Sequence, residues 1–188
     1  MKRIAFAAVA AALCATPALA QERAANNSLF IEGGGPGLLY SLNYELLFED
    51  DFGIRVGFSY QSLSATASSV GGSGSAPASV ITVPILATYL ASYGSSALEL
   101  GGGATLIRAD GAASGNGLAV SGPGTTVLGT AIMGYRRQPF DGGFQFRIGI
   151  EALVGKGLAL SNPDPNKVGV LPWMYLSIGF SISRPPIR

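Results

Sequence analysis

From Tyr40 to Tyr60 the even-numbered positions read Tyr, Leu, Tyr, Leu, Phe, Asp, Phe, Ile, Val, Phe, Tyr. Apart from Asp50, every one is apolar or aromatic. The odd positions hold Ser41, Asn43, Glu45, Leu47 and Glu49, then Gly53, Arg55, Gly57, Ser59 and Gln61. Successive side chains of a strand point to opposite faces, so this alternation around an acidic turn predicts a β-hairpin. One face of it is strongly aromatic. A soluble sheet would bury that face in a core, whereas a membrane barrel would turn it outward into lipid.

The N-terminus and the composition choose between them. "MKRIAFAAVAAALCATPALA" has basic Lys2 and Arg3, an apolar stretch from Ile4 to Ala15 and a small-residue ending at Ala20. It reads as a secretory signal over residues 1–20, with the mature chain beginning at Gln21. Leu13 sits where a lipoprotein signal would want a small residue, so Cys14 is read as part of the signal. The remaining 168 residues then hold no cysteine and no histidine, and they suit one domain. Charged residues are 12% of the chain, about half the ~25% of soluble domains. No run of ~20 apolar residues follows Gln21, so no spanning helix is expected. A chain this apolar then crosses lipid only as strands closed on themselves, with every backbone group paired. Without Lys2 and Arg3 the balance is 10 basic against 11 acidic residues, which gives no electrostatic case for nucleic acid.

The same alternation recurs at 28–34, 79–90, 97–107, 125–136, 144–155 and 173–182. In "FQFRIGIEALVG" the outward parity is Phe144, Phe146, Ile148, Ile150, Ala152 and Val154. In "TTVLGTAIMGYR" it is less clean, since Leu128 and Ile132 fall on the inward parity. With the opening hairpin this gives an all-β fold, an eight-stranded antiparallel up-and-down transmembrane β-barrel over 28–182. It is preceded by a short periplasmic segment, 21–27, and followed by a periplasmic tail, 183–188. Connections at 49–51, 91–96 and 137–143 are short and expected in the periplasm. Those at 63–78, 108–124 and 156–169 are long, rich in Gly, Ser, Ala and Pro, and expected outside as flexible loops. "GGPG" (34–37) is a short outer link that breaks this alternation. Pro84 falls inside a strand and predicts a bulge near Val83–Ile85, because proline lacks the ladder donor.

"GLLYSLNYELLFEDDFGIRVGFSY", "VTVPILATYL", "LELGGGATL", "GYRRQPFDGGFQFRIG" and "PWMYLSIGF" resemble a bacterial family of small outer-membrane β-barrel proteins over nearly the whole mature chain. In architecture the chain is also similar to the eight-stranded transmembrane regions of OmpA and OmpX. The resemblance implies an outer-membrane location and a barrel, and it brings no assigned activity. Such barrels commonly end on an aromatic residue that the assembly machinery reads; here Phe180 is followed by "SISRPPIR".

Catalytic motifs are thin. Without histidine there is no imidazole to activate a serine and no Cys/His zinc site. A Ser–Lys dyad would have to draw on Lys156 or Lys167, both in one expected loop. "NPDPNK" (162–167) lacks the glycine and closing glutamate of a calcium loop and reads as a turn. "GGGPG" (33–37) lacks the Lys-Ser/Thr and helix of a phosphate cradle. No catalytic residue, cofactor or metal site is expected.

The inward charges are Glu45, Arg55, Glu99, Arg136, Arg147 and Glu151. If Phe48 pairs with Phe52, Glu45 lies opposite Arg55. Glu99, Arg136 and Arg147 share a height near the periplasmic end, with Glu151 further up. An eight-stranded barrel is just wide enough for its own side chains, and buried charges need partners. The near-balanced signs are therefore read as a mutually paired plug rather than a channel lining. Inward Gly57, Gly101, Gly103, Gly149 and Gly179 are expected to make room for the arginines. Tyr40 and Tyr60 at one end, and Phe48 and Phe52 at the other, are expected at the two membrane interfaces. The expectation is a non-catalytic, monomeric outer-membrane barrel with a structural or surface-interaction role. Its partners would be outer-membrane lipid and the assembly machinery during insertion, with no nucleic acid. The alternatives are a narrow passive conduit for small or apolar molecules and a soluble lipocalin-like periplasmic binder.

Overall fold

Apolar parity and backbone pairing together close the chain into a ring of eight strands. The computed structural model describes residues 23–48, 50–69, 72–110, 113–115, 118–120, 123–156, 158 and 167–183. The signal segment 1–20, the tail beyond residue 183 and residues 162–166 of the expected turn lie outside them. In chain order the strands are β1 (Asn27–Gly34), β2 (Tyr40–Phe48), β3 (Phe52–Ser69), β4 (Gly72–Tyr93) and β5 (Ser96–Asp110). They continue with β6 (Ala113–Gly115), β7 (Leu118–Val120), β8 (Gly124–Arg137), β9 (Gly143–Lys156) and β10 (Val168–Ile182). The barrel runs β1-β10-β9-β8-β5-β4-β3-β2, each strand antiparallel to its neighbours, and the β1–β10 ladder closes it. β6 and β7 pair only with each other, inside the connection expected as a flexible loop.

The facing follows the alternation read from the sequence. Tyr40, Leu42, Tyr44, Ile54, Val56 and Phe58 are exposed on the outer wall, while Ser41, Asn43, Glu45, Gly53, Arg55 and Ser59 are buried inside. Leu128 and Ile132 do point inward, where they join apolar clusters. At the short-turn end Tyr93 pairs with Ser96 around a two-residue turn. Gly94 there has φ 58°, the left-handed geometry that such tight hairpins require.

Three local expectations change. The stretch 63–78 is not a loop: β3 and β4 continue pairing as far as Ser69 opposite Gly72. β10 begins at Val168 rather than near Trp173. Pro84 makes no bulge. The β3–β4 register is the same on both sides of it, Val56 opposite Ile85 and Ser59 opposite Thr82, and only the pairs between are missing. The β4–β5 ladder runs through Pro84 opposite Thr105 without a break. The absent donor therefore faces β3, and the strand gives up bonds instead of shifting register.

β1 and β2 are the short strands of the barrel. The link between them folds back as a 3-10 turn, Gly35–Gly37, whose residues are all buried. Gln61 donates to the Gly37 carbonyl at 2.7 Å. The link that breaks the loop alternation thus lies inside the barrel mouth instead of projecting from it.

Candidate functional site

The inward side chains fill the lumen in alternating apolar and charged levels. At the turn end, residues 23–26 cross beneath the barrel. The Ala25 amide donates to the Phe140 carbonyl at 2.9 Å, and the Leu47 amide to the Asn26 carbonyl at 2.8 Å. Arg23 lies 4.8 Å from the Phe140 ring and donates to the Gln138 carbonyl at 3.3 Å. Burial pushes its guanidinium below the usual value, with Asp50 and Asp51 opposing. Above this segment Leu47, Leu90 and Ala97 form a small apolar level.

The charged level comes next. Glu45 on β2 takes Arg136 from β8 and Arg147 from β9, each at 2.6 Å, and Thr88 donates to its other oxygen at 2.9 Å. Glu99 on β5 meets Arg147 at 3.1 Å and Arg136 at 3.6 Å. Arg136 and Arg147 are themselves directly opposed in the β8–β9 ladder. Two like charges side by side are held by two carboxylates from other walls. Arg55 pairs with Glu32 on β1 and donates to Asn43 Oδ1 at 3.2 Å. Phe30, buried on β1, lies against both guanidinium systems, 3.8 Å from Arg147 and 5.0 Å from Arg55. All of these ionic side chains are fully buried, where pairing is what makes charge tolerable.

Leu86, Ile132 and Tyr175 form the next apolar level. Gly134 on β8 and Gly149 on β9 leave the space that the Tyr175 ring takes; a Cβ on Gly149 would stand 2.7 Å from Tyr175 Cε1. Glu151 sits beyond it, one inward position above Gly149. It is buried, and neither carboxylate oxygen has a hydrogen-bond partner among the described residues. Val80, Ile107, Leu128, Leu153, Leu158 and Leu171 close the far end, with Leu38 and Trp173 against them.

Glu45, Glu99, Arg136 and Arg147 are thus brought into one cluster, and Arg55 stands in a neighbouring pair. Three expectations are corrected. Glu45 is opposite Arg55 in register, but they do not pair, because Arg55 turns to Glu32 and Glu45 to the far wall. Glu151 does not join the network; Glu32 supplies the balancing carboxylate instead. The inward glycines do not accommodate arginines either. A Cβ on Gly57 would meet Pro84 and Asn43, on Gly101 Ile132, on Gly103 the backbone of Ile85 and Leu86, on Gly149 Tyr175, and on Gly179 Phe30. Glu32 was already on the inward parity, and Phe30 shares that parity, so both were open to sequence reasoning. Arg23 and Gln138 lie outside the alternating stretches and gave no such signal.

Tyr40 and Tyr60 are exposed at one end of the β2–β3 hairpin, with the Tyr40 hydroxyl donating to the Tyr60 carbonyl. Phe48 and Phe52 face each other at the other end, where Phe52 also meets Tyr89 at 5.0 Å. No group of three or more His, Cys, Asp or Glu side chains able to hold a metal occurs among the described residues.

This filled, closed ring has a clear counterpart among solved structures. The N-terminal β-barrel domain of Pseudomonas aeruginosa OprF matches 84% of this chain and 99% of that one, at TM-score 0.52 and 14% identity. The fold is the same closed barrel. Ail, the attachment invasion locus protein of Yersinia pestis, solved with the heparin analogue sucrose octasulfate, matches 82% of this chain and 97% of that one. Its TM-score is 0.40 and its identity 17%. No protein-family model matches the chain, and no curated protein matches it in sequence.

Proposed function

We propose that the chain is a non-catalytic integral outer-membrane β-barrel protein with a structural or surface-interaction role and no continuous pore. The observation that carries this reading is the filled lumen, in which a compact level of ion pairs lies between apolar levels. Each guanidinium of that level has a carboxylate within ion-pair distance, so its charge is balanced by the barrel's own side chains. The outer wall supports the membrane part of the reading. Residues such as Ile54, Phe58, Ile148 and Leu176 are half exposed around the ring, a surface that lipid covers and water does not. No helix among the described residues is long and apolar enough to cross a membrane, which leaves the crossing to strands. The lack of histidine supports the non-catalytic part. Bilayer lipid is the proposed partner of the wall, with the assembly machinery acting during insertion, and the barrel works as a monomer.

Planar-bilayer recording of the detergent-purified protein tests the closed lumen. Insertion without steady current is expected. Reproducible ion flow would hand the case to a narrow conduit. Gel mobility that changes on heating in detergent is the matching check on the barrel in detergent, and a soluble binder would show none.

A further inference from the structure

Among the described residues the outer wall carries a concave stretch across three strands. Across β8, β9 and β10 the outward residues Ala131, Ala152 and Pro172 are consecutive partners in register and are small or flat. Along one side run Met133, Ile150 and Met174, also register partners, all about half exposed or more. On the other side Val154 stands up from β9. Ala131, Ala152 and Pro172, with Met133, Ile150 and Met174, line an apolar groove of about 800 Å³. Strands lie ~4.8 Å apart, so the floor runs ~10 Å across three of them.

Pro172 determines what can lie there. The β9–β10 ladder passes through Pro172 opposite Ala152 without interruption. Its ring nitrogen therefore faces the other edge of β10. On that edge β1 has already ended, at Gly34 opposite Tyr175. A residue with an N–H at this position would aim its donor away from the ladder, toward the end of the groove. Proline removes the donor from a place where hydrocarbon would leave it unsatisfied. An incoming peptide strand would want that donor; an alkyl chain does not.

We propose that this groove is a binding site for one hydrocarbon chain of a bilayer lipid, seated on Ala131, Ala152 and Pro172 against the Met133–Ile150–Met174 ridge. The proposal rests on the membrane reading above. The test reconstitutes the full chain in phosphatidylcholine vesicles containing a phosphatidylcholine with a photoreactive diazirine in one acyl chain. Adducts are mapped by mass spectrometry. Labelling of Met133, Ile150 and Met174 is expected to exceed that of Ile54 and Val56 on β3 several-fold. Ala152→Leu, which fills the groove from outside and leaves the lumen untouched, is expected to bring the ridge down to the level of β3. Even labelling around the wall would overturn the groove while leaving the membrane reading intact. Ridge labelling that falls as the protein-to-lipid ratio rises would assign the groove to a second copy and overturn the proposal as well. Absence of acyl-chain labelling anywhere on a vesicle-bound, folded barrel would remove the membrane reading and the groove with it.

Discussion

Glu45 and Arg55 stand directly opposite each other in the β2–β3 ladder, yet each gives its charge to a different wall of the barrel. Arg55 reaches across β2 to Glu32, steadied by Asn43, whereas Glu45 gathers Arg136 and Arg147. Strand tilt accounts for this. In an eight-stranded barrel the strands lean by ~35–45°, so a row of register partners climbs ~3 Å in height at each strand. Side chains that meet across the lumen are those at equal height, not those in equal register.

The pairing can be measured with double-mutant cycles. Glu32→Gln or Arg55→Gln alone leaves a buried charge short of its partner and is expected to cost ~3–5 kcal/mol. The double variant recovers much of that loss, which gives a large coupling energy. The Glu45/Arg55 cycle is expected to give a coupling several-fold smaller, despite their shared register. Urea unfolding in vesicles, followed by the fluorescence of Trp173, the only tryptophan, reads both cycles. Equal couplings would contradict the assignment of partners.

Glu151 is expected to behave in the opposite sense from the paired carboxylates. It is buried between the Tyr175 level and the upper apolar cluster, with no hydrogen-bond partner for either oxygen among the described residues. A polar group in that position costs ~1–3 kcal/mol by itself. Glu151→Leu is therefore expected to leave stability unchanged or raise it, while Glu45→Leu lowers it sharply by leaving Arg136 and Arg147 to share Glu99 alone. The temperature at which each variant loses its folded gel mobility separates the two cases. A Glu151→Leu barrel that melts well below the parent would mean that the carboxylate has a partner.

The strands are legible because outward-facing and lumen-facing positions differ in chemistry: Phe144 to Val154 announces its own period. Residues 63–78 gave no such signal. Their ladder is backbone bonding between Gly, Ser and Ala positions, which carries no apolar rhythm. Pro84 marks a conflict within its strand, but the resolution depends on which neighbouring strand the ring nitrogen faces, a fact of three-dimensional pairing. The inward charges, Glu32 among them, are legible from parity, while their partners are hidden by the stagger. The lumen role of Tyr175 is not legible in its own strand because it depends on Gly134 and Gly149, which lie on two other strands.

The outward face separates a membrane barrel from a soluble one at a single residue. Ile148 lies mid-strand on β9 and is 46% exposed. In a bilayer Ile148→Arg is expected to cost ~2–4 kcal/mol, the penalty for a cation near the midplane of a barrel wall. In water the same change would be close to neutral, because a half-exposed isoleucine gains nothing from lipid. Folding free energies in vesicles, with Ile148→Leu as the control, decide it. A neutral Ile148→Arg would argue for an aqueous barrel.

The segment beneath the barrel offers a test of what keeps the lumen closed. Arg23 holds residues 23–26 in place through Phe140 and the Gln138 carbonyl, and Gln138 Nε2 returns a bond of 3.0 Å to the Ala25 carbonyl. Arg23→Ala removes the cation–π contact and one hydrogen bond, together worth ~1–2 kcal/mol. The segment is expected to open locally, so that the Ala25 and Leu47 amides exchange hydrogen faster while the amides of β8 and β9 keep their protection. Conductance is expected to stay absent, because Leu47, Leu90 and Ala97 still seal the level above and the ion pairs behind them are intact. A variant that exchanges faster at Ala25 and also conducts would show that residues 23–26 are the closure. Faster exchange without current would assign the closure to the packed lumen itself.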